Sequence, residues 1–417
     1  MRQTIVEKIL SRNLGSDVHA GDEALFTPDY ITSYDYPGYI DSYENQLLNE
    51  LGITHVRHPE RFVLFIDHFN PAGSSQFRNV HLKTRNFAKN FGMKLYEDRG
   101  IGHQVLAEEG YVVPGELIVH FDGHVSTLGA FGCYALSMRN SIIEAYATEQ
   151  VMAVVPTSIR IELEGKLDKG VGGRDVFHHL LKELGPAGCL GSVVEYGGEG
   201  LANLALDMRL TICNLSMFLG ANSSIMETDD EVDAFLSGRA KHTYTRVFPD
   251  EDANYVKVVE LDLGSVEPTL AAPPSSANII PIRDVEGMPV HVGYLGSCAS
   301  GRMTDFEHAY EILQGRPVAN EFRFYGVPTS TEIQAKLAKT GLMEKLIASR
   351  VCMYYPSCDF CYGQLGVLAD GEVALSTATL NVPGRMGNTK ANIYLASAYT
   401  LAASALTGKI TDPRKMY

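Results

Sequence analysis

Short runs rich in Val, Ile and Phe, such as Phe62 to Asp67 and Glu116 to His120, alternate with longer stretches that carry apolar residues at helical spacing. This alternation constrains the fold most, because strands so short cannot form a core alone and must be covered by the helices between them. An α/β class is expected. In the opening segment Ile5, Val6, Ile9 and Leu10 fall on one helical face ahead of Gly15. Thr304 with Glu307 reads as a capping box opening a helix that closes at Gly315 before Pro317. Thr329 with Glu332 opens another that ends near Gly341. Residues 391–408, rich in Ala, Ser and Leu, read as a closely packed structural helix.

A chain of 417 residues has room for two or three domains. Its 45% apolar and 20% charged residues exclude a disordered or low-complexity chain. No apolar run reaches the roughly 18 residues of a membrane span, and the start lacks the apolar stretch of a signal peptide, so a cytoplasmic protein with no membrane partner is expected. The net charge of −15, with no Lys/Arg-rich run to offset it, argues against nucleic acid as a partner. The Pro/Ser/Ala-rich stretch 264–282, charged only at Glu267, reads as a linker. It divides a larger N-terminal part (1–263) from a C-terminal domain (283–417).

Seven cysteines are an odd number in a chain where thiols are expected to stay reduced. Cys298 lies in GSCAS, and Cys358 and Cys361 lie in PSCDFC about sixty residues later, in Gly/Pro-rich turns. A C-x-x-C pair lets two thiolates approach one metal centre, and a third cysteine from another turn completes three corners of a tetrahedral or cubane site. On spacing alone, structural zinc and unrelated buried cysteines remain open. If a [4Fe–4S] cluster sits there, one iron has no protein thiolate and can act as a Lewis acid on a substrate hydroxyl.

Further segments narrow the choice. TIVEKIL, FIDHFNPA, GIGHQVLAEEGYVVPGELIVHFDGHVSTLGAFG, VPTSIRIELEGKL, ALDMRLTICNLS, GYLGSCASGRMTDFEHAYEIL, STATLNVPGRMGN and AASALTGKITDPR occur in this order. Together they resemble the aconitase superfamily, specifically its 3-isopropylmalate dehydratase large-subunit branch, over nearly the whole chain. The resemblance implies a core of three α/β/α units without the swivel domain, and a [4Fe–4S] cluster held by Cys298, Cys358 and Cys361, the other four cysteines being packing residues. It also implies catalytic roles for Asp67, His68, His103, Asp122 and His124, since a carboxylate orients an imidazole and raises its basicity. Asn214, Ser297 and Arg385 match positions facing cluster or substrate. Arg385 is the candidate clamp for a substrate carboxylate.

Departures from the family pattern matter as well. Asp-Ser-His has become Asp122-Gly123-His124, a glutamate after ICN has become Phe218, Asn-Arg-Asn has become Thr379-Leu380-Asn381, and Ser-Cys-Thr-Asn has become Ser297-Cys298-Ala299-Ser300. The family's His-Asp-Gly is replaced by Tyr34-Asp35-Tyr36 or its neighbours, whose role the sequence leaves open. Losing a Glu and an Arg together removes one charge of each sign, easier to tolerate than losing either alone. This points to a substrate with fewer carboxylates or a larger apolar substituent. The family's catalytic serine sits on a swivel domain marked by a Gly-Ser-Ser-Arg-Glu loop. Here Gly73-Ser74-Ser75 leads into Gln-Phe-Arg and reads as a turn.

The expectation is therefore the large subunit of a heterodimeric hydro-lyase that dehydrates and rehydrates a small hydroxy acid through an unsaturated acid, partnered by a small subunit carrying the swivel domain and serine. Its alternatives are a dehydratase of a less carboxylated or more apolar malate, a cluster-dependent RNA-binding regulator and a structural metal protein.

Overall fold

A computed structural model describes residues 2–36 and 38–417. The chain clusters into two compact units whose segments alternate. Unit 1 comprises Met1–Glu162, Cys189–Gly197 and Gly220–Val259; unit 2 comprises Leu163–Gly188, Gly198–Leu219 and Glu260–Tyr417.

Unit 1 opens with the expected helix, Ile5–Leu14. Thr4 Oγ1 accepts the Glu7 N–H while Glu7 Oε2 accepts the Thr4 N–H at 2.9 Å, closing a capping box, and Ile5, Val6, Ile9 and Leu10 are buried. The N–H groups of Ile5 and Val6 are taken by the buried Glu195 carboxylate at 3.0 and 2.9 Å, an anion placed where the helix dipole favours one. The unit's five-stranded sheet runs in the order Lys94–Glu97, Phe62–Ile66, Tyr30–Tyr34, Leu117–His120, Tyr134–Ser137. All its pairings are parallel, and the Phe62–Ile66 strand is buried at every position, as a strand covered on both faces must be. Parallel strands deliver their carboxyl ends to one edge, where ligands bind in open α/β sheets. At that edge Asp35 follows Tyr34, Asp67 follows Ile66, and Asp122 lies two residues beyond His120. Gly73-Ser74-Ser75 starts a helix here: Ser74 accepts the Phe77 N–H and caps Ser75–Phe91. Three following residues with free N–H groups favoured that use of the serine over a turn.

Unit 2 contains a seven-stranded sheet in the order Ile279–Pro281, Thr269–Ala271, Asn392–Leu395, Val373–Ser376, Val292–Leu295, Arg323–Gly326, Val351–Met353. Its central pairings are parallel, and the first two strands join antiparallel. The uncharged stretch around residue 270 thus supplies edge strands to this sheet. A four-stranded sheet of Ser223–Met226, Ser192–Gly197, Thr157–Glu164 and Lys257–Asp262 completes three mainly parallel sheets, the α/β architecture expected. Among the described residues, no helix is long and apolar enough to cross a membrane.

Two helix starts fall near their expected places. The helix Met303–Leu313 is capped two residues early, by Arg302 with Asp305. The next, Thr331–Lys339, is capped by Ser330, which accepts the Ile333 N–H. In the C-terminal segment the helix is Ala398–Thr407, preceded by the strand Asn392–Leu395.

Candidate active site

In unit 1 the candidate site residues gather at the carboxyl edge of the parallel sheet. His68 Nδ1 lies 2.6 Å from Asp67 Oδ1, and Asp67 Oδ2 accepts the Gly102 N–H at 2.9 Å. Burial alone would raise the Asp67 pKa. The His68 charge and hydrogen bond and the Gly102 N–H outweigh it and hold the carboxyl below its ordinary range. Gly102 is required at this spot, because a Cβ would meet the Phe65 ring at 2.6 Å.

Asp35, fully buried, fixes this pair. Its Oδ1 accepts the N–H groups of Asp67 and His68 at 3.1 and 3.2 Å, and its Oδ2 lies 3.1 Å from His81 Nε2. Burial pushes Asp35 up against the pull of His81. His81 is itself raised, since its bond to Asp35 outweighs its own burial. His81 was not singled out by sequence, and Asp35 was noted only within Tyr34-Asp35-Tyr36, the stretch standing for the family's His-Asp-Gly, with its role left open.

A second imidazole–carboxylate pair lies beside the first. His103 Nε2 is 3.1 Å from Asp122 Oδ2, while its buried Nδ1 makes no hydrogen bond and remains available to a bound molecule. Burial would raise Asp122, but the His124 charge and the His103 hydrogen bond drive it well below the carboxylate range. His120, missed by sequence, accepts the Asp122 N–H on Nδ1 at 2.7 Å, and its ring centroid lies 4.9 Å from that of His103. Burial and then the His103 charge lower its pKa to about 3, so it is neutral at physiological pH. The structure thus brings Asp67 with His68, and His103 with Asp122 and His124. This edge can hold and move protons through two orientated imidazoles.

In unit 2 the cysteines follow strands of the seven-stranded sheet. Cys298 comes after Val292–Leu295, on an elbow where Ser297 adopts φ 81°. Ser297, fully buried, accepts the Ala299 N–H on Oγ at 3.2 Å, so its hydroxyl serves the elbow. Arg302 donates from Nη2 to the Cys298 carbonyl at 2.8 Å, and Asn214 Oδ1 lies 3.9 Å from Cys298 Sγ. Cys358 and Cys361 follow Val351–Met353, flanking the start and body of the short helix Asp359–Tyr362. Arg385 Nη2 donates to Cys361 Sγ at 3.2 Å, while its buried Nε makes no hydrogen bond. The Cys358 contact, then Arg385, hold the Cys361 thiol well below its ordinary range despite burial. Buried Arg174 donates to the carbonyls of Thr377 and Ala378 at 2.6 and 2.8 Å, pinning the turn that leads to Thr379 and half-buried Leu380. Arg174 and Arg302 carried no sequence signal, because their partners are backbone carbonyls remote in sequence or hidden in an elbow. Of the other cysteines, Cys133, Cys189 and Cys213 are buried, whereas Cys352 is exposed on its edge strand and is no packing residue.

The donor set suits an iron–sulfur cluster. Around one tetrahedral ion, thiolate sulfurs lie about 3.8 Å apart. Among the described residues the one such tight group of His, Cys, Asp or Glu is Asp35, Asp67 and His68, whose oxygens already serve N–H groups and imidazoles. Cys358 stands in contact with Cys361, and the Arg385 guanidinium stabilises thiolate at Cys361. An iron–sulfur cluster is held by thiolates of this kind.

The model of the aconitase family (aconitate hydratase) matches residues 68–289 and 283–408. The 3-isopropylmalate dehydratase large subunit 1 of Methanopyrus kandleri is 36% identical over 99% of both chains. The large subunit 2 of Archaeoglobus fulgidus is 37% identical over 100% of both. A probable methanogen homoaconitase large subunit of Methanosarcina mazei is 38% identical over 88% of this chain and 94% of its own. Among solved structures, aconitase X of Thermococcus kodakaraensis aligns with a TM-score of 0.48 and 9% identity over 91% of this chain and 93% of its own. With two imidazole–carboxylate pairs at one sheet edge, three cysteines behind strands of another, and matches of this extent, the chain belongs to the aconitase family and is a hydro-lyase.

Proposed function

We propose that this chain is the large subunit of a [4Fe–4S] hydro-lyase that dehydrates and rehydrates a substituted malate, in the manner of 3-isopropylmalate dehydratase. The observation that carries this reading is the thiol set of unit 2: Cys298 on a strained elbow, and Cys361 under Arg385 beside Cys358. In this reading Cys298, Cys358 and Cys361 hold the cluster, with one iron free of protein thiolate. The segment 283–417 is the cluster-binding part, and 1–263 is the substrate side. When bound, that cluster supplies a Lewis acid for the hydroxyl that leaves.

The remaining chemistry belongs to side chains. Asp67 holds His68 on Nδ1 and so orients the ring to manage a proton. Asp122 holds His103 on Nε2, leaving Nδ1 for the same task, and His124 keeps Asp122 ionised. Arg385 shares its guanidinium between Cys361 and a substrate carboxylate, with Nε still unused. Asn214 orients beside Cys298, and Ser297 sets the elbow. Family relatives with large-subunit names support a small-subunit partner, which in this reading brings the swivel domain and the catalytic serine.

A second reading, in which the substrate carries fewer carboxylates or a larger apolar group, is favoured by half-buried Phe218 and Leu380. The test is turnover of 3-isopropylmalate and other hydroxy acids by the iron-loaded chain, alone and with its copurifying small protein. Turnover only by the pair is expected. Full activity of the chain alone would overturn the partner, and no turnover of any hydroxy acid by the loaded pair would overturn the function.

A further inference from the structure

The edge of unit 1 that carries Asp67 and His68 is walled by aromatic rings. Tyr34 lies 4.8 Å from the His68 ring and 5.2 Å from His120, centroid to centroid. Tyr36 stands edge-on to His68 at 5.7 Å and lies 5.0 Å from Tyr39, which packs at 4.1 Å on Phe121. These four aromatic residues are only half-buried, whereas core rings of the same unit, such as Phe62 and Phe87, are completely enclosed.

The wall is uncharged. Among the described residues, neither Asp35 nor Asp67 forms an ion pair with Lys or Arg, and their oxygens already serve backbone N–H groups and imidazoles. Among the described residues the ion pairs of this edge involve no lysine or arginine, so the part of a substrate lying against the tyrosines is favoured to be uncharged. Tilted and edge-on rings at 4 to 6 Å instead offer π-faces and edges to a further flat ring, the geometry aromatic groups prefer.

We propose that Tyr34, Tyr36 and Tyr39 are specificity-determining residues that select malates carrying an aromatic substituent, such as a benzyl group at carbon 3. The inference rests on the hydro-lyase reading above and adds the substrate's side group to it. Each ring contact of this type is worth roughly a few-fold to tenfold in binding.

The test uses the cluster-loaded chain with its copurifying small subunit on 3-benzylmalate, 3-isopropylmalate, 3-methylmalate and isocitrate. The expected result is a kcat/KM for the benzyl compound at least about tenfold above that for the methyl compound, carried by KM. Tyr36→Ala and Tyr39→Ala are expected to cut this selectivity ratio by about tenfold, while Tyr36→Phe and Tyr39→Phe retain it. Phe variants that lose selectivity as fully as the Ala variants would show that hydroxyls recognise the substrate and would overturn the inference. Turnover of 3-methylmalate, 3-isopropylmalate or isocitrate with no preference for the benzyl compound would overturn it while leaving the hydro-lyase reading intact. Failure of all four with a loaded cluster would overturn both.

Discussion

His120 and Asp122 occupy one turn of chain, yet their surroundings drive their titrations to different ends. Asp122 remains a carboxylate because His124 and His103 face it, and His120 remains neutral because it is buried next to His103. Asp122→Asn should leave the His103 ring in place but remove its charge partner, lowering kcat by roughly 10²–10⁴ with a smaller change in KM. Steady-state kinetics on the loaded enzyme check this. For His120, the folded pKa of about 3 lies below the ordinary histidine value, so the unfolded chain binds the extra proton first. Its contribution to stability is complete above pH 6.5 and declines as pH falls toward 3. The stability advantage of the native chain over His120→Gln should shrink across that window in denaturant titrations, and a pH-independent difference would contradict the assignment. Cys298, Cys358 and Cys361 and the His68 and His103 segments stood out in the sequence as candidates through the family resemblance of the segments that carry them. Asp35, His81, His120, Arg174 and Arg302 were not. Their partners are backbone groups or side chains that only the folded sheets bring within reach.

Helix and strand types were read well from the sequence, and their ends less well, for a physical reason visible at residue 304. The Thr304-x-x-Glu307 pattern fits a capping box, but the Thr304 N–H is taken by Asp207 Oδ2 at 3.0 Å, from the helix Leu206–Leu215. The cap therefore moves to Arg302, whose N–H reaches Asp305 Oδ2 at 3.1 Å. Local patterns cannot register a partner about a hundred residues away. The Ser297 elbow is similarly invisible to periodicity, although the GSCAS run marks a turn. Where the local signal and the fold agree, its energy is measurable. Thr4→Ala removes the cap of the first helix and should cost about 1 kcal/mol, against about 2–5 kcal/mol for Ile9→Ala in the core beneath it. Equal losses in chemical denaturation would contradict the division between cap and core. Gly102→Ala should destabilise and also lower kcat, because the displaced Phe65 ring and Gly102 N–H both bear on Asp67.

At the scale of the whole molecule, the order of segments along the chain identified the family, but the division into units did not follow from it. The chain passes between unit 1 and unit 2 five times up to residue 260, so no single boundary separates them in sequence. The stretch around residue 270 has the composition of a linker, yet its small neutral residues serve equally well as edge strands. The net charge of −15 favours solubility, while the Arg385 guanidinium is kept beside the Cys361 thiol. The central claim is that Cys298, Cys358 and Cys361 hold a [4Fe–4S] cluster. It is tested most directly by iron and acid-labile sulfide content, with EPR before and after mild oxidation, on anaerobically purified native chain and Cys358→Ser. The account predicts about four irons and four sulfides per chain, conversion to a [3Fe–4S] signal as one iron is lost, and no cluster in the variant. Bound zinc, or an iron-free chain after reconstitution with iron and sulfide, would contradict it.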